Sequence, residues 1–163
     1  MTDNAEILLA QLTAWGIAQQ TTEHPPLFTV ADGLEWHGKI PGLHCKSLFL
    51  KDKKSGLYLL VLPFDVRGDL NAMAKAIGAE RLSFAKPELL WEYLRVTPGA
   101  VTPFGLLFDV PPRITVLLHP LVAQAEQVNF HPLRNDRTTS IRGADLLRFL
   151  DLSGHPPHIL AAA

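Results

Sequence analysis

Cysteine is almost missing from this chain. Cys45 is the only one in 163 residues, which excludes an internal disulfide and, with no Cys-x-x-Cys pair, a zinc ribbon. Long apolar runs are missing as well: stretches such as Leu57 to Leu62 fall far short of the roughly 20 residues a membrane span needs. The opening Met-Thr-Asp-Asn-Ala-Glu has neither the basic start nor the apolar body of a signal peptide, so the expected location is cytoplasmic. Also absent are Gly-x-Gly-x-x-Gly, a Walker-type phosphate loop, a Gly-x-Ser-x-Gly elbow and His-Glu-x-x-His. Nucleotide cofactors, triad hydrolysis and zinc peptidase chemistry thereby lose their usual signatures. The seven histidines do not restore a metal site, because His155 and His158 flank Pro156-Pro157 and cannot share a helical face, while the others are scattered. No metal and no cofactor are expected.

A large net charge is lacking too, at −1, yet the charges are unevenly placed. Between Lys39 and Lys54 five lysines (39, 46, 51, 53 and 54) face Asp52 alone. A local cationic surface on a neutral protein suits an anionic partner gripped at one place, such as one end of an RNA, although turn lysines in solvent would look the same. Lys46 stands out among them. It sits among Leu43, Leu48, Phe49 and Leu50 in a run that reads as a sheet interior, where a charge costs free energy unless it snorkels from a strand edge or something needs it.

With 47% hydrophobic and 19% charged residues, the length fits one globular domain over residues 1–163 with a proper core. Asp3 with Glu6, followed by Leu8, Leu12 and Trp15, predicts a capped helix ending at Gly16. Thr21 to His24 suits an edge strand, and Thr29 could cap a helical segment through Trp36. Pro41-Gly42 turns the chain into the Lys46 strand, which a hairpin joins to a strand over Gly56 to Leu62. Asp69, with Leu70, Met73, Ala74, Ile77 and a closing Gly78, predicts the clearest helix, and Pro87 opens another that runs to about Leu94. The stretch from Arg95 to Gly105 has no period and reads as a shaped loop. A short strand or extended link is expected at Arg81 to Ala85, and strands at Leu106 to Asp109, Arg113 to His119, Gln127 to His131 and Thr138 to Ile141. A last helix carries Leu146, Leu147 and Leu150, and Ala161 to Ala163 form a frayed end. Strands and helices mix without regular alternation, which predicts an α+β fold with a central mixed, partly barrel-like sheet flanked by helices.

Three pieces are more particular than packing requires: the Lys46 strand, the loop Gly99-Ala100-Val101-Thr102-Pro103, and the segment Asn129 to Thr139. A glycine loop between prolines can surround a carbonyl oxygen with backbone amides, and it can equally be a well-formed turn. His131 beside Phe130 suits a core histidine as well as a catalytic one, and Asp136 and Thr138 suit turn residues that satisfy nearby amides.

The combination LHCKSLFLKDKK, YLLVLP, AERLSFAKPELLWEYLRVTPGAVTPFGLLFD and VNFHPLRNDRTTSI, in this order over roughly residues 4 to 152, resembles the YbaK/ProX family of aminoacyl-tRNA editing domains. The likeness is to its free-standing branch, which deacylates alanine-charged proline tRNA. The resemblance implies an aminoacyl-tRNA ester hydrolase acting in trans without metal or covalent intermediate. Lys46 matches the family's essential lysine, expected to hold a phosphate or the ester carbonyl. Gly99 to Pro103 matches its Gly-x-x-x-Pro loop, expected to stabilise the oxyanion. His131 matches a histidine lining the amino-acid pocket, with Phe130 as size limit, and Asp136 and Thr138 match its supporting polar strand. Lys51, Arg81 and Lys86 would approach the acceptor end of the tRNA. The expected partner is mischarged proline tRNA, handed over by prolyl-tRNA synthetase or an elongation factor; neither DNA nor a membrane is expected. A sister cysteine-specific deacylase and a non-catalytic nucleic-acid-binding module of the same fold are the alternatives. Cys45 is expected only to pack, facing away from Lys46.

Overall fold

The computed structural model describes residues 3–27 and 30–160; the Thr29 cap and the Ala161 to Ala163 end lie outside them. The chain opens with α1 (Asn4–Ala14), whose N-cap Asp3 accepts a hydrogen bond from the Glu6 amide and whose Leu8 and Leu12 are buried. Edge strand β1 (Gln20–Glu23) and helix α2 (Val30–His37) follow. Strands β2 (Leu43–Lys51) and β3 (Leu57–Pro63) form the expected antiparallel hairpin, in register from Cys45 opposite Pro63 to Lys51 opposite Leu57. Its turn is tied by Asp52, which accepts from the amides of Lys54 and Gly56 and from the Tyr58 hydroxyl. Helix α3 (Leu70–Ile77) has its cap at Asp69 and its left-handed stop at Gly78. The short β4 (Ser83–Phe84) pairs with the end of β2, and α4 (Pro87–Leu94) starts on its proline.

Residues 106–109 are not a strand. A 3-10 helix spans Pro103–Phe108, with Thr102 capping the Phe104 amide. Apolar residue types alone suggest a strand here, but the segment packs directly beneath the end of α4. A Cβ at Gly105 would lie 2.6 Å from the Leu94 carbonyl oxygen, so tertiary contact decides the local form. Phe104 is fully buried between the rings of Phe130 and Phe149, edge to face at 5.7 and 5.5 Å.

Strand β5 (Ile114–Leu118) runs parallel to β3, and the short helix α5 (Pro120–Gln124), absent from the sequence reading, follows it. Antiparallel β6 (Gln127–Phe130) and β7 (Arg137–Arg142) lead into α6 (Gly143–Leu152). A final two-residue strand, β8 (His158–Ile159), also unforeseen, pairs with β5. The fold is α+β around a mixed eight-stranded sheet in the order β1-β7-β6-β2-β3-β5-β8, with β4 attached to β2. One face carries the main core, where α1, α4, the 3-10 helix and α6 meet residues such as Phe49, Leu59 and Val61; the other carries a smaller core of Leu50, Leu60, Leu62 and α3. Burial on both faces explains why β3 reads as an unbroken apolar run. Among the described residues no helix is long and apolar enough to cross a membrane.

One detail of topology positions the site. On the side of β2 away from β3, strand β6 pairs only with Leu43 and His44, and β4 only with Leu50 and Lys51. Residues 45–49 therefore have no strand partner on that side. Lys46 lies on an inner strand, at a gap in it.

Candidate functional site

A cavity of about 330 Å³ opens at this gap. Lys46, Gly99, Val101, Phe130, His131 and Thr138 all line it, so residues separated by up to 92 positions in the chain share one wall. Lys46 is half-buried, its backbone paired with Leu62, and its ammonium makes no ion pair or hydrogen bond among the described residues. Gly99 sits at φ +96°, a conformation that costs a side-chain-bearing residue strain, and a Cβ there would meet no atom within 4 Å. Backbone conformation, not space, holds that position to glycine.

The imidazole of His131 has a defined tautomer. Its Nδ1–H donates to the Arg137 carbonyl at 2.8 Å, and because a carbonyl can only accept, Nε2 is left as a bare acceptor. Burial is the main cause that lowers its pKa; the Arg137 carbonyl opposes this, and neighbouring histidines add to it. The ring is thus neutral near pH 7. Thr138 is positioned by a relay: the His24 Nδ1–H donates to the Pro25 carbonyl, and His24 Nε2 lies 2.8 Å from Thr138 Oγ1 and accepts its proton.

Four residues that the sequence reading did not single out also form the wall. His37 and His44 stack at 4.1 Å between ring centroids, and Phe64 meets His37 edge on at 4.4 Å. Burial, then repulsion from His44 and His131, pulls the His37 pKa down to about 4, and burial lowers that of His44. Ser47 is the fourth. It is 9% exposed and its hydroxyl has no hydrogen-bond partner among the described residues, an uncommon state for a buried polar atom. Ser47 could have been suspected from its place beside Lys46; the histidine stack had no signal in spacing. Among the described residues no group of three or more His, Cys, Asp or Glu is arranged to hold a metal ion.

Other expected site residues lie elsewhere. Ala100, Thr102 and Pro103 are buried behind the cavity wall, where Thr102 caps the 3-10 helix. Asp136 does not line the cavity: both its carboxylate oxygens are engaged by Arg134, at 2.9 and 2.7 Å, and Arg134 also reaches Asp3 at 3.1 Å. It braces the β6–β7 turn against the start of α1. Cys45, by contrast, lines the cavity as well as packing against the main core, and burial pushes its thiol up to about 12, so it is no thiolate at neutral pH. The five lysines do not make one patch. Lys39 pairs with Glu35 at 3.3 Å, Lys46 sits at the cavity, and Lys51 lies five residues further along β2, about 17 Å away in an extended strand. Lys51 does have Arg81 and Lys86 for company, since Ser83 pairs with it and Phe84 with Leu50.

Residues 24–149 match the family model described as the aminoacyl-tRNA editing domain. The chain belongs to that family. Among curated relatives of this editing domain, prolyl-tRNA synthetase associated domain-containing protein 1 of Danio rerio is 37% identical over 85% of this chain and 77% of its own. The prolyl-tRNA editing protein ProX of Acetoanaerobium sticklandii is 30% identical over 94% of each. A solved structure of a candidate trans-editing enzyme for prolyl tRNA synthetase superposes with a TM-score of 0.75 at 20% identity, covering 98% of this chain and 96% of that one. That likeness shows that the editing-domain fold is shared.

Proposed function

We propose that this chain is a trans-acting deacylase that hydrolyses the ester of mischarged proline tRNA, with alanyl-tRNA(Pro) as preferred substrate. The observation that carries the reading is the meeting of an uncompensated ammonium, Lys46, and the positive-φ Gly99 loop on one cavity wall with a neutral imidazole, His131. The name of the ProX relative, similar along nearly the whole chain, supports it. Lys46 holds a phosphate or the ester carbonyl, and backbone amides of the Gly99 loop stabilise the oxyanion as it forms. Water attacks the carbonyl carbon, His131 Nε2 accepts its proton, and the carbon–oxygen bond to the ribose breaks. The ribose oxygen then takes up a proton, releasing free amino acid and uncharged tRNA. An aminoacyl ester is already activated, so positioning and electrostatics suffice.

The cavity is roomier than the sequence reading expects. At about 330 Å³ it could enclose either side chain, so volume alone does not exclude proline. Discrimination rests on the wall nearest the ester, where Phe130 and Val101 limit a ring more than a methyl group. The test is release of amino acid from proline tRNA charged in parallel with alanine, cysteine or proline. Alanine is expected to leave fastest and proline to be spared. Faster release of cysteine would reassign the chain to the cysteine-specific branch, and tight tRNA binding without any release would make it a binding module.

A further inference from the structure

A second cavity, also about 330 Å³, adjoins the first and shares Ser47, Gly99 and Val101 with it. Its far wall is built from Phe84, Ala85, Pro87 and Pro98. Phe84 is 62% exposed although it lies in a strand, and an aromatic ring left in water beside an apolar hollow is a platform without its partner. Cations flank β4 without lining the cavity: Lys51 pairs with Ser83, Arg81 and Lys86 lie just before and just after the strand, and none of the three makes an ion pair among the described residues. Apolar faces with an aromatic platform and cations near by suit a nucleotide, whose base stacks while its phosphates reach toward the charges.

We infer that the second cavity seats the base of the nucleotide that carries the ester, the terminal adenine of the tRNA. The inference rests on the deacylase reading. With the aminoacyl group held in the first cavity, the base must lie one ribose away from the ester, and the second cavity is what adjoins the first. Ser47, a residue 91% buried, lines both cavities at this junction, and a ribose passing from one to the other would run alongside its hydroxyl, which has no hydrogen-bond partner among the described residues. The base is bound by its π face, so the seat contributes affinity and placement without reading base identity.

The test compares two non-hydrolysable ligands by calorimetry: 3′-alanylamido-3′-deoxyadenosine, which carries the base, and alaninamide, which lacks it. The wild-type protein is expected to bind the nucleoside ligand at least about tenfold more tightly. Phe84→Ala should abolish most of that advantage and leave alaninamide binding unchanged, while Phe84→Tyr should retain it. Because Phe84 is mainly exposed, its removal leaves the core intact. Equal affinity of the two ligands for the wild type, or an advantage undiminished by Phe84→Ala, would overturn the seat. Parallel assays of alanine release from tRNA separate the two ideas: nucleoside binding through Phe84 without turnover would sink the deacylase reading alone, whereas turnover indifferent to Phe84 would sink the seat alone.

Discussion

Replacing Lys46 by methionine should separate function from stability, and the expected signs follow from its surroundings. The side chain is half-buried on an inner strand and has no counter-ion among the described residues. Partly desolvating an ammonium without compensation costs free energy, so this residue does not earn its place through stability. Lys46→Met keeps the length and apolar stem of the side chain and leaves the backbone pairing with Leu62 intact. Stability should therefore change by less than about 1 kcal/mol, or rise. Activity should respond in the opposite sense. Removing a preorganised cation from a developing charge typically costs about 10²- to 10³-fold in turnover, so kcat/KM for alanyl-tRNA(Pro) should fall by that much. Thermal melts and single-turnover deacylation on the same preparations supply both readings. A folded variant that turns over at the wild-type rate, or one that loses several kcal/mol of stability, would refute the reasoning, because either would show the ammonium to be structural.

Ser47→Ala is expected to keep or slightly raise the melting temperature, since it deletes a buried hydroxyl with no partner, while weakening productive binding of the charged tRNA in a KM measurement. The pH dependence of stability has a defined sign. The pKa values of His37, His44 and His131 are all lowered in the folded state, so the unfolded chain binds protons first and stability should fall as pH drops from about 6.5 toward about 4, as pH-dependent urea titrations would report. Asp109 adds a second, more acidic step. Burial would raise its pKa, but the His155 hydrogen bond and the Arg113 and Ile114 amides together hold it below the usual carboxylate value. The stabilisation it contributes is present above about pH 4 and is lost as pH falls through the lowered value. His155→Leu, which strands that buried carboxylate after a 2.8 Å bond is removed, should cost about 3–5 kcal/mol in chemical denaturation. Because neither residue lines the cavity, kcat/KM at low temperature should be preserved. Finally, Arg81→Ala and Lys86→Ala should each flatten the salt dependence of tRNA affinity, lowering the log–log slope by about 0.7 if a phosphate of a single strand is contacted; an unchanged slope would remove these residues from the footprint.

Local chemistry was readable from the residues themselves. Asp3 and Asp69 cap helices, Gly78 stops one and Pro87 starts one because each does so through bonds within a few positions of its own backbone. The β2–β3 hairpin is of the same kind. The ordered motifs around Lys46, Gly99 and His131 marked the family, and these residues do line one cavity. What needed the tertiary structure was every outcome decided by distant neighbours. The segment after Pro103 coils into a 3-10 helix because α4 presses on it, and Asp136 turns to Arg134, away from the cavity. The lysines that crowd together in sequence are drawn apart along an extended strand. Above all, the stacked His37–His44 pair exists only because the end of α2 meets the start of β2, and the orphaned Ser47 hydroxyl lies where β2 loses its strand partner between β6 and β4. Hydrogen bonds within a few residues are encoded by those residues; an opening in a sheet is a property of where its strands end, which no single stretch of the chain contains.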